Sequence, residues 1–561
     1  MRPTMTTARH IRRLERSEPR GWRSRPLVAL IGAALMVTAC GTTASPSPDG
    51  SAPGTAPSAE AARGGEFTFA ANFEPDSLDP HVAANSSSLI VLQNVVDTLV
   101  LLSPDDQQFH PYLADSWTIS PDGTTYTFEL HPGVTFHDGT PFDAAAVKFN
   151  LDRVVDPETG STLALTNLGP YESSTVIDDL TVEVKMETAY PPLLDALSQT
   201  SLGMLSPAAV EEFGADIGTN PVGTGFMKFV SWTKQDKIEL VRNEDYNWAP
   251  DIWGHQGPAY LEKYTLIVAD EPAARVTALE TGDVLAIEDT PGQDVARLEA
   301  DERFELVKSP LPGAPRGWFM NTERAPLDDI NVRKALLFGF DREEIVQLAT
   351  FGTQDPGFGP FSPALWSYSE EAASLYPYDP DQAGRLLDEA GWTMGPDGIR
   401  VKDGQPLRLR TIGFEVFRAL YEAAQSNVRE IGVDLELEII ATAAAVEANH
   451  RGDHHLGMTG VVASDPSNVA LFYHSRNYDG FNWPRVQDPA FDKMWDDAAA
   501  ETDRDTRQQM YEDIQMHIME NAYVIPGQVI VRNNFFHTSV KGARPDARGI
   551  YIWLYDAYIE P

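Results

Sequence analysis

Cysteine is nearly absent: Cys40 is the only one among 561 residues. No internal disulfide can form, so stability must come from packing and hydrogen bonding. Positive charge is scarce as well. Forty-three Lys and Arg stand against 83 Asp and Glu, a formal net charge of −40. A surface that acidic repels polyanions, which argues against a nucleic-acid partner. Neither GxSxG nor HExxH occurs, so neither motif supports a serine hydrolase or a zinc peptidase. The glycine-rich Gly223-Thr224-Gly225-Phe226-Met227-Lys228 lacks the Lys-Ser/Thr ending of a phosphate loop and the spacing of a dinucleotide fingerprint. Among 83 acids no carboxylate pair stands out, so a glycosidase is neither indicated nor excluded.

What is there begins with an arginine-rich leader. Eight arginines between Arg2 and Arg25 precede the apolar run Leu27–Val37, which is too short to span a bilayer. Val37-Thr38-Ala39-Cys40 follows at once, and the whole resembles a bacterial lipoprotein signal. That resemblance implies cleavage before Cys40 and lipid on its sulfur, which also rules Cys40 out as a nucleophile. Loss of residues 1–39 would remove eight arginines and two glutamates and take the charge from −40 to −46. Such a chain is expected to be tethered to a membrane rather than to lie on it. Residues 40–65 are rich in Ser, Pro, Gly, Ala and Thr, cannot bury a core and read as a flexible tether.

The chain as a whole is 42% hydrophobic and 10% aromatic, ordinary for a globular chain long enough for more than one lobe. Its most patterned stretch is Leu113–Val154. Trp117 and Ile119 lie in one short strand, and Tyr126, Phe128 and Leu130 alternate with polar residues in the next. A short strand at Val134–Phe136 and a helix capped by Asp143 are expected after it. Upstream, Glu66–Ala70 reads as a first strand and Ser86–Leu102 as an apolar helix. Downstream, Asn331–Val346 and Tyr378–Trp392, the second with Asp379 as its cap, resemble helices of a known family, and strands and helices alternate from Leu407 to Ile440. Repetition of this kind argues for an α/β architecture.

The blocks SWTISPDGTTYTFELHPGVTFHDGTP, NPVGTGF, VRKALLFGFDREEI, YDPDQAGRLLDEAG and the late RQQMYEDIQMHI resemble, in order, those of the extracellular solute-binding proteins of ABC importers, oligopeptide/dipeptide-binding family 5. The resemblance implies a two-lobed periplasmic-binding-protein-like fold of class II type with an enlarged first lobe. Residues 66–315 plus 526–561 would form lobe I with an extra subdomain, and 316–525 lobe II. It implies no enzyme activity and no cofactor. It also implies a monomeric, lipid-anchored extracytoplasmic receptor that passes a solute, a peptide being the leading class, to an ABC permease. A secreted hydrolase of peptides or glycans, or a ligand sensor without transport, is the alternative.

Site residues follow from the same resemblance. Phe73 and Glu74 open the loop that borders the family's ligand cleft. In Leu456–Pro466, Met458 stands where the family has tryptophan and Val461 where it has the aspartate that pairs with a peptide's α-ammonium. His455 falls near its arginine position, and Asp465 matches a second aspartate. An ammonium taken out of water needs a charged acceptor. A free dipeptide is therefore put in doubt, unless an acid such as Glu415 or Asp453 supplies the charge. Trp318, Phe319, Trp366, Tyr473, Phe481, Asn482 and Trp483 lie in predicted loops or crossovers and are candidate cleft residues. The run His450–His455 fits no closed metal site and is expected to be a loop.

Overall fold

Two large sheets, a four-stranded sheet and four smaller ones of two or three strands share the chain in the computed structural model, which describes residues 63–560. The leader, Cys40 and the tether up to residue 62 lie outside the described residues. The seven-stranded sheet runs in the order Phe304–Pro310, Val531–His537, Ala286–Ile287, Glu66–Ala71, Lys263–Val268, Lys237–Arg242, Met227–Thr233. Glu66–Ala71 is parallel to both of its neighbours, and its buried Phe67 stacks on Phe69, Tyr264 and Phe536.

The stretch from Ala114 folds into a four-stranded sheet ordered Ala114–Ile119, Thr125–Leu130, Thr181–Met186, Tyr171–Asp178. Tyr126, Phe128 and Leu130 bury one face, as their alternation requires, each contributing roughly 1.5–3 kcal/mol of apolar burial. Asp143 accepts from the Ala146 N–H at 2.9 Å and caps the helix Ala144–Val155. Val134–Phe136 is not a strand. The Phe136 N–H turns back to Thr140 O at 2.9 Å, leaving a single bridge between Thr135 and Pro141.

The apolar run Ser86–Leu102 is a helix only over Ser86–Leu92. Beyond it, Asn94 O and Val95 O accept from the N–H groups of Met227 and Gly225, both at 2.9 Å, and Val100–Leu102 pairs with Phe109–Pro111. These long-range backbone partners override the local helix preference. They also explain Gly223 and Gly225: a Cβ on either would collide with the backbone oxygens of Val95 and Asn94. The glycines permit close packing.

The six-stranded sheet has the order Asp355–Pro356, Val524–Val529, Gly313–Met320, Leu456–Val462, Arg408–Phe414, Asp434–Ile440. Asn331–Val346 gives two helices, Ile330–Gly339 and Arg342–Thr350, because Asp341 takes the Glu344 N–H at 2.9 Å and starts the second. Asp379 caps Pro380–Glu389 as expected. One apolar cluster packs helices on one face of this sheet and a second fills the other face.

The chain passes between the two large sheets twice, side by side. Phe304–Pro310 leads into Gly313–Met320, and Val524–Val529 leads into Val531–His537. The Leu311 N–H donates to Ile530 O at 2.8 Å, stitching the passages together. The change of sheet therefore falls at Leu311–Pro312 and at Ile530, slightly before residue 316 and slightly after residue 526.

Candidate ligand-binding site

Beside these passages lies a cavity of about 560 Å³. Gln93, Tyr112, Phe226 and Trp253 form part of its wall on the side of the seven-stranded sheet, and Asn167 and Ser198 come from the region of the four-stranded sheet. Val461, Ser464, Asn468 and Leu471 close it from the end of the six-stranded sheet. The C-terminal stretch adds Arg532, Asp546, Arg548, Tyr551 and Tyr555. A volume of this size, lined by aromatic and aliphatic side chains interleaved with many amides and hydroxyls, suits one small solute.

Asp195 holds the two sides together. Its Oδ1 accepts from Arg548 Nη2 at 2.8 Å, and its Oδ2 accepts from Ser464 Oγ at 2.6 Å and Gln199 Nε2 at 3.0 Å. Arg548 sits in a turn closed by Asp546, whose Oδ1 accepts the Tyr551 N–H at 2.9 Å and whose own N–H donates to Tyr551 O at 2.9 Å. Gly549 takes a φ of +65° within it, a conformation that suits glycine. Burial pushes the Asp546 carboxyl up, with Arg548 opposing.

A smaller cavity of about 190 Å³ shares Ser464 and Arg548 with the first. Trp366 and Asp465 line it. The guanidinium of Arg504 lies 4.0 Å over the Trp366 ring. Asp465 is buried and receives both Nη atoms of Arg507, at 2.8 and 2.9 Å. Burial would push its carboxyl up, but Arg507 overrides this and holds it below the usual range. Asp465 also caps the turn Pro466–Phe472 through the Ser467 N–H. Its charge is thus committed within its own lobe. On the other side of Leu311, Val462 and Arg532, a more open groove of about 580 Å³ is lined by Arg316, Phe351 and Phe417.

Of the cleft residues expected from sequence, Val461 lines the main cavity, and Trp366 and Asp465 line the smaller one. Trp318, Phe319, Met458, Tyr473, Asn482 and Trp483 are instead sealed in the packing of the six-stranded sheet. Trp318 and Met458 are partners on adjacent strands and join one apolar cluster, with Trp318 against Phe340. Phe319 packs in the other cluster against Phe472, Tyr473 and Trp483. The Asn482 amide donates to Tyr473 O, His474 O and Val486 O, which fixes a loop. Phe481 stacks on Trp483 with centroids 5.8 Å apart and does not reach the cavity. Nor do Phe73, which is 56% exposed, or Glu74, which accepts from Trp232 Nε1 and Gln235 N at 2.9 Å.

The substitute acids are no better placed. Glu415 pairs with Arg418 and Asp453 with Arg451, both outside the cavity wall. Among the described residues no cluster of His, Cys, Asp or Glu is arranged to hold a metal ion, and no helix is long and apolar enough to cross a membrane. Sequence reasoning missed Arg532, Asp546, Arg548 and Tyr551, which follow the last recognisable block. Their one signal was a pair of arginines in an acid-rich chain.

A cavity closed by two α/β sheets, with the chain passing between them through paired strands, defines a two-lobed solute-binding protein. The chain belongs to the bacterial extracellular solute-binding proteins, family 5, whose model matches residues 108–483. It is 31% identical over 459 residues to the glutathione-binding protein GsiB of Pectobacterium atrosepticum, covering 80% of this chain and 85% of that one. With the protein of the same name from Salmonella typhimurium it shares 31% identity over 417 residues, 73% of this chain and 77% of the other. Among solved structures it is similar to HbpA2 from Haemophilus parasuis (TM-score 0.78, 22% identity, 89% of this chain and 100% of that one). NikA from Brucella suis, in complex with Fe(III)-EDTA, matches with a TM-score of 0.75 and 25% identity over 88% of this chain and 100% of its own. The family consists of binding proteins rather than enzymes, and the hydrolase alternative falls with that.

Proposed function

We propose that the protein is the lipid-anchored receptor of an ABC importer, held at the outer face of the membrane through Cys40, which captures a peptide-like solute and passes it to a permease. The observation that carries this reading is the cavity enclosed from both sheets, with Ser464 of one side bonded to Asp195 of the other. A solute touching both walls binds the closed arrangement better than an open one and so shifts the population toward closure. The seven- and four-stranded sheets, including the C-terminal stretch, would form lobe I, and residues 313–529 lobe II, the monomer closing about Leu311–Pro312 and Ile530. The GsiB relatives are glutathione-binding by name, which makes short peptides and γ-linked peptides the first solutes to try.

The test is native mass spectrometry of the mature chain, followed by calorimetric titration with glutathione and di- to tetrapeptides. A bound solute recovered unchanged, with smaller dimensions in solution scattering, is the expected result. Conversion of the solute into products would sink the reading. Mass analysis of the membrane-extracted protein should find a diacylglyceryl-modified Cys40 at its N-terminus.

A further inference from the structure

Only three residues that line the main cavity carry charge: Arg532, Asp546 and Arg548, with Tyr551 beside them. Each arginine spends part of its fork on a nearby acid. Arg532 gives Nη1 to Glu288 at 3.1 Å, while Arg548 gives Nη2 to Asp195 at 2.8 Å and to Ser198 Oγ at 2.6 Å. Among the described residues, Nη2 of Arg532, Nη1 of Arg548 and the hydroxyl of Tyr551 have no hydrogen-bond partner, and none of the three is a sealed atom. Asp546, Arg548 and Tyr551 belong to one turn and line the cavity together with Arg532, whose charge reaches the buried Tyr551 hydroxyl.

The acid of this group is not free in the same way. Asp546 is buried, and its carboxylate is turned into the N–H groups of its own turn, from Arg548 to Tyr551. This part of the wall therefore offers donors in surplus. It contains no carboxylate free to receive an ammonium group. A guanidinium fork with an unused N–H is well matched to a carboxylate, because a charge-assisted hydrogen bond there replaces the water that burial removes.

Resting on the receptor reading above, we infer that the cavity takes acids: a carboxylate of the solute is held by Arg532, Arg548 and Tyr551, and its remainder lies against Phe226, Trp253 and Tyr555. A free amino group is not required for binding. The C-terminal stretch, rather than the Leu456–Pro466 strand and loop, is then the main determinant of specificity.

The experiment uses the whole mature chain and two matched probe sets, N-acetyl dipeptides with a free carboxylate and dipeptide amides with a free amine. Thermal shift and calorimetry should show the acids binding and the amides failing to bind. R548Q should weaken the acids by roughly tenfold or more, the scale of one charge-assisted hydrogen bond. Y551F removes a single oxygen and carries the test should R548Q fail to fold; it should weaken the acids by about threefold or more on the scale of a neutral hydrogen bond. The inference is overturned if amides bind as well as acids, or if Y551F and a folded R548Q leave acid affinity unchanged. Silence from both probe sets overturns it too. In that case, a different solute retained in native mass spectrometry would leave the receptor reading standing.

Discussion

At the scale of single residues, the buried titratable groups set opposing pH dependences. Burial lowers the imidazoles of His81 and His137 to about 4 and that of His454 to about 3, from an ordinary value near 6.5. Below pH 6.5 the unfolded chain takes up protons that these folded imidazoles refuse. Their contribution to stability is therefore present above 6.5 and is lost as the pH falls toward 4. Asp97 acts the other way. Burial raises it to about 6, against the lowering effect of hydrogen bonds from Tyr112, Trp248 and Thr224. Its contribution is full below its ordinary value of 3.8 and is lost as the pH rises through 6. Three imidazoles outweigh one carboxyl, so stability should fall on acidification from 6.5 to 4, and D97N should fall more steeply than the native chain. Denaturant titrations at pH 7.5, 6 and 5 would refute this if the two profiles ran parallel. Trp483, sealed beneath the sheet, makes a different point: W483A should cost about 3–5 kcal/mol of stability, as large core truncations do. Its ligand affinity, measured on the fraction that remains folded, should stay close to native.

At the scale of elements, ion pairs do more than periodicity can reveal. Arg507, on the helix Arg504–Glu520, fixes the turn after the strand Leu456–Val462 through Asp465, with both partners less than a tenth exposed. D465A would strand the Arg507 charge and should destabilise lobe II by about 3–5 kcal/mol; a melting temperature unchanged from native would contradict that. Ser464, one residue earlier, donates directly to Asp195 at 2.6 Å. S464A leaves each lobe intact and removes a contact made only when they are together. Scattering should report a larger radius of gyration without solute and a smaller change on binding, and equal radii for both proteins would count against the contact as a closure latch.

Legibility from sequence divides along the same line. Tyr126, Phe128 and Leu130 announced their strand because alternation alone decides it. The helix expected through Leu102 stopped at Leu92 because its backbone partners, Gly225 and Met227, lie more than a hundred residues away. In sequence, Trp318, Phe319 and Trp483 look like cleft residues, because an aromatic in a loop or crossover reads the same whether it faces a solute or a core. Register then put them inside. Arg548 was invisible for the converse reason: its role comes from a turn built by Asp546 and Gly549 and from an acid at position 195.

At the scale of the whole molecule, the two passages between the large sheets run as neighbours, with Pro310 opposite Val531 in the ladder and Leu311 bonded to Ile530. Everything from Leu311 to Ile530 therefore enters and leaves the rest of the protein through one doorway. Topologically, the six-stranded sheet and its helices are an insertion between two paired strands of the seven-stranded sheet. Joining Pro310 to Val531 through Asn-Gly would turn the strands Phe304–Pro310 and Val531–His537 into a two-residue hairpin, the geometry such dipeptides favour. The shortened chain should fold cooperatively by calorimetry with the seven-stranded sheet intact, and a non-cooperative transition would show that the sheet needs its guest. The same doorway means that one wall of the cavity, from Val461 to Leu471, and the wall that carries Arg532 and Arg548 are written in separate stretches of the sequence.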